Sequence, residues 1–338
     1  MTAGETEAPR RILVINVSRI GDTMLATPAL RALAKAWPRA SIDFLGHPKR
    51  FEVIQNLPFV STAGSITKNR APFKGWLPGR RWDLAVVYGF DRPLVAYALR
   101  VARKVVAFRQ DDDFLDSRLF RCVQRPKFQS LHAAEYPLAM TRALGVPDAG
   151  LRLAYAITAD ERAWAKQTLA AKLPAASRTL IGLQVASFPT RSFRDWSIDK
   201  FVELCGRAAG RWPNAHFLIF GGDLERDRTQ TLARRFAGRA TDFAGTLTLR
   251  QTAALMNELD LYVGVDTGPT HIMGALDAPM VPMYHCQSPS RRLAPLERPL
   301  CFPVDHPRAA TGCGPETPMD ELEVDTVWSR VLEALPGR

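Results

Sequence analysis

Val263-Gly264-Val265-Asp266-Thr267-Gly268-Pro269-Thr270-His271 follows the apolar run Leu259–Val263. It reads as a buried strand that ends in a small-residue turn and opens a helix from Thr270 to about Asp277. Such a turn aims free backbone N–H groups and the positive end of a helix at one point, so phosphate or pyrophosphate is its natural occupant. Asp266 then stands beside the anion site, placed to accept hydrogen bonds from hydroxyls or a ribose. Asp-Thr-Gly also occurs in aspartic proteases, but those need a second carboxylate in an all-β setting, and the surroundings here are β-α-β. The plainer alternative, Asp266 as a helix cap and nothing more, stays open at this level.

Outward from that stretch the chain alternates. Arg11–Val17, Ser41–Leu45, Leu84–Tyr88 and Lys104–Phe108 read as strands, with helices over Thr23–Trp37, Leu94–Ala102 and His132–Leu144. A basic, Pro/Gly-rich stretch, Lys68–Arg81, interrupts them. After the helix Asp160–Lys172, strands Leu180–Leu183, His216–Phe220, Ala240–Phe243, Leu259–Val263 and Met280–Tyr284 alternate with helices Ser197–Arg211, Leu224–Phe236, Arg250–Glu258 and Thr270–Asp277. Ser288–Pro318 is proline-dense and irregular, and Val324–Leu335 is a terminal helix. This rhythm implies parallel sheets covered on both faces. Gly145–Tyr155, with Pro147, Asp148 and Gly150, is the linker candidate. It divides the chain into residues 1–150 and 151–338, two doubly wound α/β domains expected to face one cleft. The terminal helix has the option of packing back on the first domain.

At 338 residues, 46% hydrophobic and 23% charged, the composition is that of a globular protein of two domains. No apolar run approaches the ~20 residues of a membrane span. The first ten residues carry Glu5 and Glu7 in place of a basic n-region, so no signal peptide is read. Cys122, Cys205, Cys286, Cys301 and Cys313 are odd in number and lack a Cys-x-x-Cys, which predicts free thiols in a reducing cytoplasm. Charge is one-sided. Residues 1–150 hold 23 Lys+Arg against 13 Asp+Glu, a net +10, whereas residues 151–338 hold 22 against 21, a net +1. A field of that shape draws an anionic partner to the first half.

Ligands of open α/β sheets bind beyond the carboxyl ends of the strands. The first such loop, Ser18-Arg19-Ile20-Gly21-Asp22-Thr23, lacks the Gly-x-Gly-x-x-Gly of dinucleotide binders but offers Asp22 at a helix start. A helix N-terminus favours an ionised carboxylate, which can take a proton from an attacking hydroxyl. Asp is also a favoured cap, although Leu25 three residues on forms no capping box. In the second half, Gln184–Trp196 carries Ser187, Thr190, Arg191 and Arg194, hydrogen-bond donors suited to phosphate. Gly221-Gly222-Asp223-Leu224-Glu225 lets a ligand approach the backbone and supplies carboxylates for ribose hydroxyls.

SRIGDTMLATPALRAL from Ser18, ASFPTRSFRDWSIDKFVEL from Ala186, FGGDLERD from Phe220 and GVDTGPTHIMGAL from Gly264 occur in the order and spacing of glycosyltransferase family 9. The chain resembles these ADP-heptose:lipopolysaccharide heptosyltransferases over roughly residues 11–285. The resemblance implies a GT-B fold, two Rossmann-like domains with the acceptor on the first and the nucleotide-sugar on the second. It makes Asp22 the general base, with Arg19 and Gly21 on the acceptor side. On the donor side it sets Ser187, Thr190 and Arg194, the last where the family usually has a phosphate-contacting lysine. Thr267, Gly268 and Pro269 would surround the pyrophosphate, Asp266 and His271 would flank sugar and phosphates, and Glu225 would meet the adenosine ribose.

Inverting transfer without metal or cofactor is implied, from a nucleotide-sugar to an anionic glycolipid or glycan. The enzyme would be cytoplasmic and peripheral to the anionic inner membrane, with no nucleic-acid partner. Two alternatives stay open: a family member using another nucleotide-sugar, and a non-catalytic nucleotide-sugar-binding protein. The turn Met283–Pro289 departs from the Gly-containing turn common in the family, which leaves the transferred sugar open.

Other signals rank lower. Asp111-Asp112-Asp113 is expected to be a solvated acidic turn and not a metal-binding Asp-x-Asp. His285, Cys286, Cys301, His306 and Cys313 have no pair at zinc-finger spacing. The seven tryptophans are too scattered for a nucleic-acid stacking stripe.

Overall fold

The structure, a computed structural model, describes residues 8–77, 79–127 and 131–336. Glu5 and Glu7, used above in reading the N-terminus, and Pro78 of the basic stretch lie outside the described residues. The chain divides into two compact units, Met1–Ala156 and Ile157–Arg338, so the boundary falls at the end of the Pro/Gly stretch.

The first unit runs β1 (Arg11–Asn16), α1 (Ile20–Met24), α2 (Thr27–Ala36), β2 (Ser41–Gly46), β3 (Thr62–Ser65), β4 (Trp82–Val87), α3 (Arg92–Val101), β5 (Ala102–Phe108), α4 (Asp113–Asp116), β6 (Arg121–Val123) and α5 (Glu135–Arg142). Its strands pair in parallel in the order β3-β2-β1-β4-β5-β6. Every residue of β1 after Arg11 is buried, as a central parallel strand covered on both faces requires. Leu13, Ile15, Ala85, Val87, Val95 and Ala98 belong to one apolar cluster beneath α3.

The single helix expected over Thr23–Trp37 is two helices. Pro28 has no N–H to continue the ladder and crowds the preceding turn, so α1 ends at Met24 and α2 starts afresh with proline in its first turn. The edge strands β3 and β6 escaped the sequence reading. They are four and three residues long and carry no buried face for alternation to reveal.

The second unit runs α6 (Ala159–Lys172), β7 (Thr179–Gln184), α7 (Ile198–Arg211), β8 (Ala215–Phe220), α8 (Arg226–Arg235), β9 (Ala240–Asp242), α9 (Leu249–Met256), β10 (Leu261–Val265), α10 (Gly268–Met273), β11 (Met280–Tyr284), α11 (Ser290–Leu293), β12 (Val304–Asp305) and α12 (Val324–Ala334). The sheet order, β12-β11-β10-β7-β8-β9, repeats that of the first unit. In each sheet the winding reverses beside the unit's first strand, between β1 and β4 and between β7 and β10. Those are the switch points where open α/β sheets hold ligands.

Val327 and Val331 of α12 sit in the core of the second unit with Trp196, Phe201 and Phe217. Strand β12 lies within the stretch read as irregular. At two residues it is too short to show a period.

Candidate functional site

At the end of β10 the turn is built by three hydroxyls. Thr270 donates from Oγ1 to the Val265 carbonyl at 2.6 Å, which leaves that oxygen to accept from the Tyr262 hydroxyl at 2.8 Å; Thr267 Oγ1 lies 3.2 Å away. Gly264 is required by the packing, since a Cβ there would stand 2.6 Å from Gln184 Cβ. Pro269 in the first turn of α10 needs no hydrogen-bond acceptor, and the N–H group of Gly268 has none within the helix.

Asp266 is 2% exposed, yet it is not a cap, because Thr267 occupies that position. Its Oδ2 accepts from Arg194 Nη1 at 2.6 Å, and its Oδ1 lies 3.4 Å from His271 Nε2. Burial pushes the Asp266 carboxyl up, but the hydrogen bond and charge of His271 and then Arg194 outweigh it and hold the group below the ordinary carboxylate range. Arg194 also donates from Nη2 to Ser288 Oγ at 3.1 Å, while its buried Nε has no hydrogen-bond partner among the described residues. An oriented guanidinium with a spare, desolvated donor is suited to an anion.

The loop after β7 brings Arg194 there. Its base is pinned by the Trp196 indole donating to the Leu322 carbonyl, and its bend by Asp195, whose Oδ1 accepts from the Ser187 N–H and lies 2.7 Å from the Ser187 hydroxyl. Ser187 is therefore engaged in shaping the loop, while Thr190 is exposed at its tip. Burial raises the Asp195 carboxyl; the Ser187 bonds and the Arg228 charge only partly counter it.

After β8, Glu225 is buried, and its carboxylate accepts from the Gly222 N–H at 2.6 Å. A side chain on Gly222 would meet that oxygen at 2.7 Å, so the Glu225 carboxylate would have to shift to admit one. Burial and then the neighbouring Asp195 charge raise Glu225. Asp195, Ser288 and Arg228 went unassigned in the sequence although each lies in or beside a quoted motif. The roles of Ser288 and Arg228 come from contacts between separate segments, and that of Asp195 from a bond across the bend of its own loop.

In the first unit, Asp22 is third in α1, exposed, and its carboxylate makes no hydrogen bond or ion pair among the described residues. The cap reading of Asp22 falls, because Arg19 holds that position without a side-chain cap bond. Thr23 Oγ1 donates to the Arg19 carbonyl at 2.8 Å, and Arg50 Nη1 to the Ser18 carbonyl at 3.1 Å, so the loop carrying the free carboxylate is held from both sides. Arg19 is exposed and Gly21 half-buried. A basic residue follows the carboxyl end of every strand of this sheet: Arg19, Lys49, Lys68, Arg92, Arg109 and Arg125. The basic excess thus reaches the ligand-binding edge.

The acidic run 111–113 is a turn, in which Asp112 caps α4 by accepting from Leu115 N and lies 3.5 Å from Arg92, while Asp111 pairs with Arg109.

The expectation of five free thiols is corrected. Cys286 and Cys313 form a disulfide, and Cys122, Cys205 and Cys301 are free. Spacing along the chain offers no basis for that pairing, because the two residues lie 27 apart on either side of β12 and meet only once the sheet is formed. His285 joins them, with ligand atoms of the three residues within 4.8 Å of one another. The sulfurs are bonded to each other, however, and the imidazole faces the Thr317 carbonyl at Nε2 and the Gln287 N–H at Nδ1, so the lone pairs a metal would use are engaged. Cys313→Ser is expected to lower unfolding stability by about 3 kcal/mol under non-reducing conditions. Thermal melts with and without reductant check this; equal melting of both proteins without reductant would refute it.

A family model described as glycosyltransferase family 9 (heptosyltransferase) matches residues 100–308. The lipopolysaccharide core heptosyltransferase OpsX of Haemophilus influenzae is 21% identical over 294 residues, covering 85% of this chain and 82% of its own. The glycosyl transferase family 9 structure from Veillonella parvula superposes with a TM-score of 0.81 at 18% identity, over 96% of this chain and 97% of that one. For the ADP-heptose lipopolysaccharide heptosyltransferase II of E. coli the values are 0.78 and 19%, over 96% and 98%. The fold is thus the GT-B arrangement of two Rossmann-like units.

Proposed function

The chain belongs to glycosyltransferase family 9 (heptosyltransferase) and is a glycosyltransferase, and from that premise we propose that it moves heptose from ADP-heptose to a hydroxyl of a lipopolysaccharide inner-core or related glycan. The observation that carries the reading is the buried Asp266 with Arg194 and His271 on its two oxygens, at the mouth of the turn between β10 and α10. Asp266 neutralises and aims Arg194, whose guanidinium and the N–H groups opening α10 take the donor diphosphate. Glu225 takes the ribose hydroxyls.

On the first unit, Asp22 removes the proton of the acceptor hydroxyl as its oxygen attacks the anomeric carbon. The bond from that carbon to the diphosphate breaks, and ADP leaves with the electron pair. Direct displacement by one base inverts the configuration. Charge developing on the leaving diphosphate is met by Arg194, His271 and backbone N–H groups, an arrangement that asks for no metal. The basic row Arg19, Lys49, Arg50, Lys68 and Arg92 suits an acceptor bearing phosphates and acidic sugars, presented at the cytoplasmic surface of an anionic membrane.

Calorimetry with ADP, followed by product mass after incubation of a lipopolysaccharide inner-core acceptor with ADP-heptose and a panel of other nucleotide-sugars, tests this. Binding of ADP and transfer from ADP-heptose alone is the expected result. Transfer from another donor overturns the heptose assignment, and donor binding without transfer overturns catalysis. Glu225→Gln is expected to weaken ADP about tenfold, the size of one hydrogen bond to a charged group. Its melting temperature at neutral pH is expected not to fall, since ionised Glu225 is disfavoured by burial. Unchanged ADP affinity in that variant removes Glu225 from the ribose.

A further inference from the structure

The segment between β3 and β4 ends in an apolar projection on which Phe73 is 84%, Trp76 71% and Leu77 72% exposed. The projection is built. Arg100, near the end of α3, donates to the Lys74 carbonyl at 3.1 Å and to the Ala71 carbonyl at 2.7 Å, and its guanidinium lies 4.5 Å from the centre of the Trp76 ring. The Trp76 indole N–H donates to the Pro72 carbonyl at 2.6 Å. Gly75, at φ +79°, sits against α3 so closely that a Cβ would come within 2.6 Å of Val101. Three large apolar side chains are thus held in water by contacts that fix the backbone beneath them, and such a patch marks a surface with a partner.

The surrounding charge says which partner. From Thr62 to Trp82 there are five basic residues, Lys68, Arg70, Lys74, Arg80 and Arg81, and no Asp or Glu. All five are exposed. An apolar tip containing tryptophan, flanked along the chain by long, exposed cationic side chains, fits the interface of an anionic bilayer, where the tip enters the acyl boundary and the cations meet headgroup phosphates.

We propose that the Phe73-Trp76-Leu77 projection docks the first unit on an anionic lipid bilayer. The choice of a bilayer rests on the membrane-borne acceptor of the function proposed above; the projection itself lies outside the candidate site.

The test is co-sedimentation of the full chain with vesicles of phosphatidylethanolamine and phosphatidylglycerol, and with vesicles of phosphatidylcholine alone. The chain is expected to bind the first far better than the second, with binding reduced by salt. Phe73→Ala, Trp76→Ala and Leu77→Ala together should lower partition onto the anionic vesicles at least about tenfold. Arg80→Glu with Arg81→Glu should also weaken it. Both variants should keep ADP affinity and, for a short water-soluble acceptor, the turnover of the parent. The proposal is overturned if the parent does not bind anionic vesicles, or if the triple variant binds them equally well. It is also overturned if the triple variant turns a dimer into a monomer with vesicle binding intact. Failure of the transferase reading would show separately, as a parent that neither binds ADP nor transfers sugar whatever the vesicles do.

Discussion

Asp22→Asn is expected to lower kcat by about a thousandfold, within the ~10²–10⁴ that general-base catalysis contributes, while ADP affinity stays that of the parent. The substitution keeps the side chain's shape and removes its capacity to take a proton. Because the carboxylate bonds to nothing among the described residues, no contact seen there is lost with it. Steady-state kinetics, with calorimetry of ADP on both proteins, checks the two halves together. A variant as fast as the parent would take Asp22 out of the chemistry. A variant that also loses ADP would point to damage beyond the acceptor side.

Arg194→Ala is expected to have the other large effect, on both binding and folding. ADP affinity should fall about a hundredfold, equivalent to ~2.7 kcal/mol, which is what one or two charge-assisted hydrogen bonds supply. Stability should fall by about 3 kcal/mol, because the substitution leaves the buried Asp266 carboxylate without its closest cation. The pH dependence has a definite sign. The folded protein holds Asp266 below the ordinary value of 3.8, so its contribution to stability is present above that value and is lost as pH falls through the lower folded value. In the variant the carboxyl loses part of that depression. The stability gap between parent and variant should therefore be widest near neutrality and narrow below the ordinary Asp range. Denaturant melts at a series of pH values measure it, and a gap that widens on acidification would contradict the pairing.

Much of the donor side was legible because its signals are local. A short apolar strand followed by Asp, Thr, Gly and Pro in sequence points to a strand-turn-helix, and the turn lies between β10 and α10. Its neighbours were legible only as residue types. Arg194 was marked as a phosphate donor, yet its partner Asp266 is 72 residues away, and the two meet because β7 and β10 are adjacent in the sheet. Ser187 illustrates the converse: a hydroxyl read as a donor contact is spent on Arg191 and Asp195 inside its own loop. The Cys286–Cys313 bond was misread for the same reason, since spacing along the chain says nothing of two loops that a sheet edge brings together.

The alternation of strands and helices, the two units, the basic character of the first and the chemistry available at each strand end can be read from amino-acid order alone. These follow from side-chain periodicity and backbone sterics acting over a few residues. Three-dimensional packing set which groups stay free among the described residues: the Asp22 carboxylate, the Nε of Arg194, and the projecting Phe73, Trp76 and Leu77. Whether a polar or apolar group is spare depends on everything packed around it, and that is settled by contacts between segments far apart in the chain.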